Sequence, residues 1–119
     1  MDKFTAYFYD KPDGTEPMRD FLSSLDKKMR AKVLWTVSLL ESDGNSLREP
    51  YSKHLKDGIF ELRTKVGSDI SRALYFFIID KRVILTHGFI KKADATPPAE
   101  IRRAQKYRDE YLNRKENLQ

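Results

Sequence analysis

The sequence has no cysteine, and this absence excludes disulfide bridges, thiolate zinc sites and cysteine nucleophiles together. It also lacks a long apolar run: the longest, residues 73–79, is far short of the roughly 20 residues that span a bilayer. The first residues include Asp2 and contain no apolar signal segment, which predicts that there is no signal peptide. These absences favour a cytoplasmic protein with no membrane partner.

Familiar metal and nucleotide motifs are missing as well. No His-x-His, His-Glu-x-x-His or paired-carboxylate spacing occurs, so no metal site is predicted. No glycine-rich dinucleotide motif or P-loop occurs either, so no cofactor is predicted. Serine, histidine and aspartate are present, but no spacing arranges them as a catalytic triad.

What is present is typical of one globular domain covering residues 1–119, with 39% hydrophobic and 34% charged residues. The net charge of +5 is concentrated in the middle of the chain. Residues 53–92 hold nine basic and four acidic side chains, whereas the flanking regions are almost neutral. A local basic field favours a polyanionic partner, with nucleic acid as the first candidate. The alternative is a solvated lysine-rich surface.

The pattern of residues predicts an α+β fold. Residues 4–9 are β-prone, and Pro17 then begins a short helix that ends near Leu25. Asp26 is a candidate N-cap for a second helix, which ends at Gly44. The apolar stripe of that helix comprises Met29, Val33, Val37 and Leu40, widened by Leu34 and Trp35.

The second half of the chain predicts a three-stranded meander and a last helix. Residues 44–58 contain turn signals and are expected to be irregular. Residues 59–66, 70–80 and 82–90 are β-like, and their short connections require antiparallel hairpins. Thr96, followed by two prolines, is typical of a helix start.

Alternation along the strands assigns the charged residues to faces of the sheet. Glu61, Arg63 and Lys65 share one side of their strand, opposite an apolar side. The next strand is apolar on both sides, which makes it central and makes Arg72 its unusual residue. An unpaired buried charge is costly, so Arg72 either forms an ion pair with Glu61 or binds a phosphate. Both alternatives stay open.

The two histidines are ambiguous. Alternation predicts that His87 shares a face with Val83, Leu85 and Phe89. A histidine in that position is either a hydrogen-bonded structural residue or a functional one. His54 is expected in the loop before the meander and is equally ambiguous.

Hairpin pairing brings the basic residues together, and their chemistry suits RNA. The cluster comprises Lys53, His54, Lys56, Arg63, Lys65, Arg72, His87, Lys91 and Lys92, with Tyr75 and Phe89 as aromatic neighbours. Cations beside aromatic rings suit a phosphate chain with unstacked bases. A 2′-hydroxyl can attack the adjacent phosphate without a metal if one group accepts its proton and cations stabilise the developing charge.

Four segments in order, 56–63, 71–76, 85–92 and Thr96-Pro97, resemble the RelE/HigB toxin superfamily, and most closely its phage-derived Gp49-like branch. The resemblance covers nearly the whole chain and is most specific over residues 55–107. It implies a RelE-like microbial RNase fold with an antiparallel sheet. It also implies a type II toxin that cuts mRNA in the ribosomal A site. The implied partners are the ribosome, mRNA and a cognate helix-turn-helix (HigA-like) antitoxin.

The resemblance also implies site residues. Arg63 matches the arginine of the family's Leu-Arg strand, and Arg72 matches a phosphate-stabilising arginine. Lys91 and Lys92 match a basic pair in which the family keeps a catalytic cation.

Two departures from the family pattern redistribute the implied chemistry. Glu61 stands where some relatives have a catalytic lysine, and no tyrosine after Lys92 matches the one that stacks on the substrate base in some relatives. His87 or Lys65 is the expected substitute. The predicted catalytic residues are Arg63, Arg72, His87, Lys91 and Lys92, and the predicted RNA- or ribosome-binding residues are Lys53, His54, Lys56, Lys65 and Tyr75.

Two other functions stay open. The same fold serves ParE-type gyrase poisons, which bind a protein and cleave no RNA. A basic binding module without activity is the third interpretation. Translation arrest with cut messages indicates the first function, whereas DNA damage with intact messages indicates the second.

Overall fold

The computed structural model describes residues 3–90 and 95–117, with side chains as far as Arg114. The elements in chain order are β1 (Thr5–Phe8), α1 (Pro17–Ser24), α2 (Lys27–Asp43), a 3-10 turn (Gly44–Ser46), β2 (Ser52–Lys56), β3 (Ile59–Val66), β4 (Asp69–Ile78), β5 (Arg82–Ile90) and α3 (Pro98–Asn117). The strands form one sheet in the order β1-β5-β4-β3-β2. The predicted α+β fold is confirmed. The sheet is mixed, because β1 lies parallel to β5 whereas the other pairs are antiparallel.

The strand β2 is the element that the sequence did not predict. Residues 44–58 were expected to be irregular, yet Ser52–Lys56 pairs with β3 through a turn at Asp57 and Gly58. Positive φ angles of 54° and 77° at these two residues suit a two-residue hairpin turn. The β2 strand is a largely exposed edge strand, and its sequence lacks the aromatic and β-branched residues that usually indicate a strand. His54 therefore lies on a strand, and its predicted place in a loop is wrong.

The helix α2 follows its sequence signals. A carboxylate oxygen of Asp26 accepts a hydrogen bond from the backbone N–H of Met29 at 2.8 Å, which caps the helix. The predicted stripe of Met29, Val33, Val37 and Leu40 is buried. Leu34 and Trp35 were expected to widen it but are 47% and 48% exposed, because they lie beside the stripe that faces the sheet. In the described part of the chain, no helix is long and apolar enough to cross a membrane.

The sheet separates two apolar clusters. The cluster on the face covered by α1 and α2 includes Met18, Leu22, Met29, Val33, Leu40, Leu62, Ala73, Tyr75, Val83 and Leu85. The cluster on the face covered by α3 includes Tyr9, Ile59, Leu74, Phe76, Ile84, Ala104 and Tyr111. The second cluster is smaller, and the remaining buried positions of that face are occupied by polar side chains.

A β-bulge in β5 determines the position of His87. Leu74 lies opposite His87, whereas the next residue of β4 lies opposite Leu85. Thr86 is thus the extra residue, and it turns His87 to the face covered by α3. Val83 and Leu85 lie on the other face, so the prediction that His87 shares their face is wrong. Strict alternation fails here because the bulge adds one residue to the count.

The outer edge of β1 is covered by the end of α2. The backbone N–H of Phe4 donates to the carbonyl of Glu41 at 2.8 Å. The backbone N–H of Ala6 donates to the Glu41 carboxylate at 2.9 Å. One residue of α2 therefore satisfies two amides that point away from the sheet.

Candidate functional site

The pairing of β3 with β4 places two arginines opposite one another. Arg63 lies across from Arg72, and both side chains are on the face covered by α3. Like charges in this arrangement destabilise a sheet. Glu61, two residues before Arg63 on the same face, compensates for them. Its Oε1 atom is 2.7 Å from Nε of Arg63 and 3.2 Å from Nη1 of Arg72.

This shared carboxylate is buried and held from a second direction. The side chains of Glu61 and Arg72 are 0% and 1% exposed. Thr96, just before α3, donates its hydroxyl hydrogen to Glu61 Oε2, and Arg72 Nη1 donates to Thr96 Oγ1 at 3.3 Å. These donors offset the cost of burying a carboxylate. The Arg72–Glu61 pair, one of the two expected alternatives, is therefore present, and direct contact of Arg72 with a phosphate stays a prediction.

Arg63 is the accessible arginine of the pair, with 23% of its side chain exposed. It borders a cavity of about 200 Å³, which is also lined by Lys53, His54, Leu55, Glu61, Ala95, Thr96 and Ile101. Glu61 engages Nε of Arg63, and Glu49 approaches Nη1 only to 3.9 Å. Because a guanidinium has five N–H donors, Arg63 retains donors for a ligand in the cavity. Within the described residues, no group of three or more His, Asp or Glu side chains is placed to hold a metal ion.

Of the predicted lysines in the described residues, only Lys53 lines this cavity. Lys53 on β2 is exposed, pairs across strands with Glu61 and lines the cavity. Lys65 is exposed two residues beyond Arg63 on the same face of β3. Lys56 is exposed at the end of β2 and does not line the cavity. The fold thus places Lys53 and Arg63 at the same cavity, and Lys65 lies further along β3.

His54 is held against the hairpin turn at the cavity edge. Its Nε2 atom accepts a hydrogen bond from the backbone N–H of Gly58 at 3.2 Å. Its ring contacts Phe60 edge-on, with 5.0 Å between ring centroids. His54 pairs with Phe60, which packs on the face covered by α1 and α2, so the His54 ring lies on that face whereas Arg63 lies on the other.

Tyr75, predicted to bind RNA, lies in the core. Its side chain is 1% exposed on the face covered by α1 and α2, and it stacks on Phe60. Its hydroxyl forms a hydrogen bond with the Ser52 hydroxyl. Burial raises the pKa of Tyr75 to about 12. This placement does not favour an RNA contact, because the alternation of β4 turns the ring inward, and the RNA-binding role of Tyr75 stays a prediction.

His87 lies beneath α3, apart from the cavity of Arg63. The residue is 1% exposed. Its Nε2 atom lies 3.1 Å from a carboxylate oxygen of Glu100, and its Nδ1 atom lies 3.0 Å from the hydroxyl of Thr86, which itself donates to the carbonyl of Leu74. Burial, with the positive charge of Arg103 as a second cause, lowers the pKa of His87 to about 4. The ring is therefore neutral at pH 7, and these contacts are those of a structural histidine. A catalytic role for it stays a prediction.

The remaining predicted catalytic residues, Lys91 and Lys92, lie outside the described residues. Sequence reasoning did not identify Thr96 and Glu100 as partners of the charged sheet face. Both residues belong to the helix-start signal, which was interpreted only as capping. A helix start packed against a strand that carries Arg72 could have indicated such contacts.

Comparison with known families identifies the chain. The family model "Phage derived protein Gp49-like (DUF891)" matches residues 20–109, from α1 into α3, and the match includes every residue that lines the cavity of Arg63. No curated protein sequence matches the chain significantly. Members of the Gp49-like family are often toxins of toxin–antitoxin systems. Because the match covers well over half of the chain, this protein belongs to the phage-derived Gp49-like family, a family of RelE-like toxins.

Proposed function

We propose that this chain is the toxin of a type II toxin–antitoxin system and acts as a ribosome-dependent mRNA endonuclease. The observation that supports this most directly is Arg63, a partly exposed guanidinium fixed at the wall of a basic cavity by a buried carboxylate. An oriented guanidinium suits a phosphate because it offers several donors in a fixed fork. Membership of a RelE-like toxin family supports the same function.

The proposed reaction is attack of an mRNA 2′-hydroxyl on the adjacent phosphorus. The 2′-hydroxyl loses its proton, a 2′,3′-cyclic phosphate forms, and the 5′-oxygen leaves with a proton. Negative charge builds on the phosphate oxygens in the transition state, where Arg63 and the neighbouring Lys53 stabilise it. Arg63 is effective because Glu61 already holds it in place, so little reorganisation accompanies the reaction.

The proposed partners are the ribosome, mRNA and a cognate helix-turn-helix (HigA-like) antitoxin. Lys53, Arg63 and Lys65 share one face of the β2–β3 hairpin and would bind RNA phosphates with release of counterions. An antitoxin that presents acidic groups to the same face would inhibit the toxin by covering the cavity. The cytoplasm, which holds ribosomes and mRNA, is the proposed site of action.

The test compares Arg63→Ala with Arg19→Ala. Arg19 is a matched control, because it is an exposed arginine of α1 that pairs with Glu16, the residue before that helix, and does not line the cavity. Wild type and Arg19→Ala should arrest translation and leave cut messages. Arg63→Ala should slow single-turnover cleavage on programmed ribosomes by roughly 100-fold or more.

Two outcomes would contradict the proposal. Equal cleavage by both variants would remove Arg63 from the site. DNA damage with intact messages after expression of the wild type would instead indicate a ParE-type gyrase inhibitor. Growth should recover when the cognate antitoxin is co-expressed.

A further inference from the structure

We propose that Glu61 is a positioning residue that sets the balance between RNA affinity and cleavage rate at the cavity of Arg63. This inference rests on the proposed function. It concerns a buried acid at a cavity that is also lined by Lys53 and Arg63. An acid is unexpected at such a place if the site only needs to attract RNA.

The first step is the geometry of the shared oxygen. Oε1 of Glu61 contacts Nε of Arg63 at 2.7 Å and Nη1 of Arg72 at 3.2 Å. A contact through Nε fixes the plane of the Arg63 guanidinium while its terminal nitrogens remain near the cavity. The same oxygen restrains Arg72 behind the cavity wall, where its side chain is 1% exposed. Glu61 thus orients Arg63 at the cavity and keeps Arg72 buried behind it.

The second step is that Glu61 itself has little freedom to move. Its side chain is fully buried, and its other oxygen accepts the hydrogen bond of Thr96. Thr96 stands at the start of α3, so the helix holds the carboxylate and the carboxylate holds Arg63. The orientation of Arg63 is therefore set before any phosphate arrives.

The third step is electrostatic. A carboxylate beside a phosphate site repels the substrate in the ground state and weakens its binding. A preoriented guanidinium acts mainly in the transition state, where phosphate charge is greatest. Glu61 therefore lowers affinity and raises the rate. A purely structural ion pair would change both quantities only through the fraction of folded protein.

The experiment separates charge from orientation with three variants. Glu61→Gln keeps the shape and removes the charge, Glu61→Asp keeps the charge and shortens the reach, and Thr96→Val releases Glu61. Glu49→Gln is the matched control, because this exposed acid lies only 3.9 Å from Arg63 but is not buried beneath it. Binding is measured on ribosomes programmed with mRNA that carries 2′-deoxynucleotides across the A-site codon. Single-turnover cleavage is measured on the unmodified mRNA.

Glu61→Gln should bind more tightly at low salt, with a slope of log affinity against log salt steeper by about 0.7, as for one more neutralised phosphate. Its cleavage should be roughly tenfold slower. Glu61→Asp and Thr96→Val should also be slower but keep the wild-type salt slope. Glu49→Gln should cleave at the wild-type rate.

Both measurements are normalised to the folded fraction. If Glu61→Gln does not fold, Glu61→Asp and Thr96→Val still decide, because wild-type rates in both would overturn the proposal. Unchanged affinity and rate per folded molecule in Glu61→Gln would also overturn it and leave an ordinary structural pair. Absence of cleavage by the wild type would contradict the proposed function instead.

Discussion

The two faces of the central sheet are built in opposite ways. The face covered by α1 and α2 is packed almost entirely with apolar side chains, and its buried polar groups are few and uncharged. The face covered by α3 buries Glu61, Arg72 and His87. Apolar burial stabilises a fold directly, whereas buried ion pairs roughly balance their desolvation cost. The first face therefore supplies stability, and the second places charge where the candidate site needs it.

Among substitutions that test this difference between the two faces, that of Arg72 should produce the largest loss of stability. Arg72→Ala leaves a cavity and removes one partner of the buried Glu61 carboxylate, so it should destabilise the fold by about 3–5 kcal/mol. Urea unfolding measures this loss. The double variant Arg72→Met with Glu61→Gln should recover part of it, because no fully buried charge then remains unmatched and Arg63, which loses its contact with the Glu61 carboxylate, is partly exposed to solvent. A loss below about 1 kcal/mol in Arg72→Ala would mean that the charged face contributes as little as a surface pair.

Protonation of His87 at low pH should produce the next largest loss of stability. Its folded pKa of about 4 lies below the ordinary value of 6.5, so the unfolded chain binds more protons between these pH values. Stability should therefore fall as the pH drops from about 6.5 to about 4, by up to about 3 kcal/mol from this residue. His87→Gln, which cannot titrate, should show a shallower fall. Identical pH profiles of unfolding for the two proteins would contradict the neutral, buried ring.

A smaller effect is expected on the apolar face. Tyr75→Phe removes the hydrogen bond to Ser52 and keeps the ring, so it should cost about 1 kcal/mol in thermal unfolding. Cleavage by the folded variant should stay at the wild-type level, because this ring lies in the core. Loss of cleavage with unchanged stability would instead support the prediction that Tyr75 contacts RNA.

The smallest effect on stability is expected at Lys65. Lys65→Ala should change the free energy of unfolding by less than about 0.5 kcal/mol, because the side chain is exposed. Its effect should appear in binding, where the slope of log affinity against log salt should become shallower by about 0.7. Arg19→Ala is again the control and should leave this slope unchanged.

Local sequence signals predicted most of the fold. The helix cap at Asp26, the buried stripe of α2 and the three meander strands follow from local chemistry, and each is present. The strand β2 was not predicted, because its polar sequence becomes a strand only by pairing with β3. The bulge at Thr86 was not predicted either, because one extra residue leaves no mark in an alternating pattern.

The candidate site was predictable only in part. The alternation of β3 placed Glu61 and Arg63 on one face. The apolar residues on both sides of β4 marked Arg72 as needing a partner, and the structure contains the expected pair with Glu61. The contribution of Thr96 depends on how α3 packs across the sheet, so no local pattern could reveal it. The same holds for the contact between Glu100 of α3 and His87 of β5, which depends on the bulge and on the packing of the helix.

Because Glu41 contacts the backbone of β1, the two edges of the sheet differ in how readily they can pair with an added strand. An extended peptide that joined at β1 would have to displace the Glu41 carboxylate and carbonyl from two amides. The opposite edge is β2, where an added strand would lie directly beside Lys53 and His54. Growth of the sheet by β-augmentation is thus directed to the edge that borders the cavity. A partner that binds in this way would extend the sheet beside Lys53, which lines the cavity.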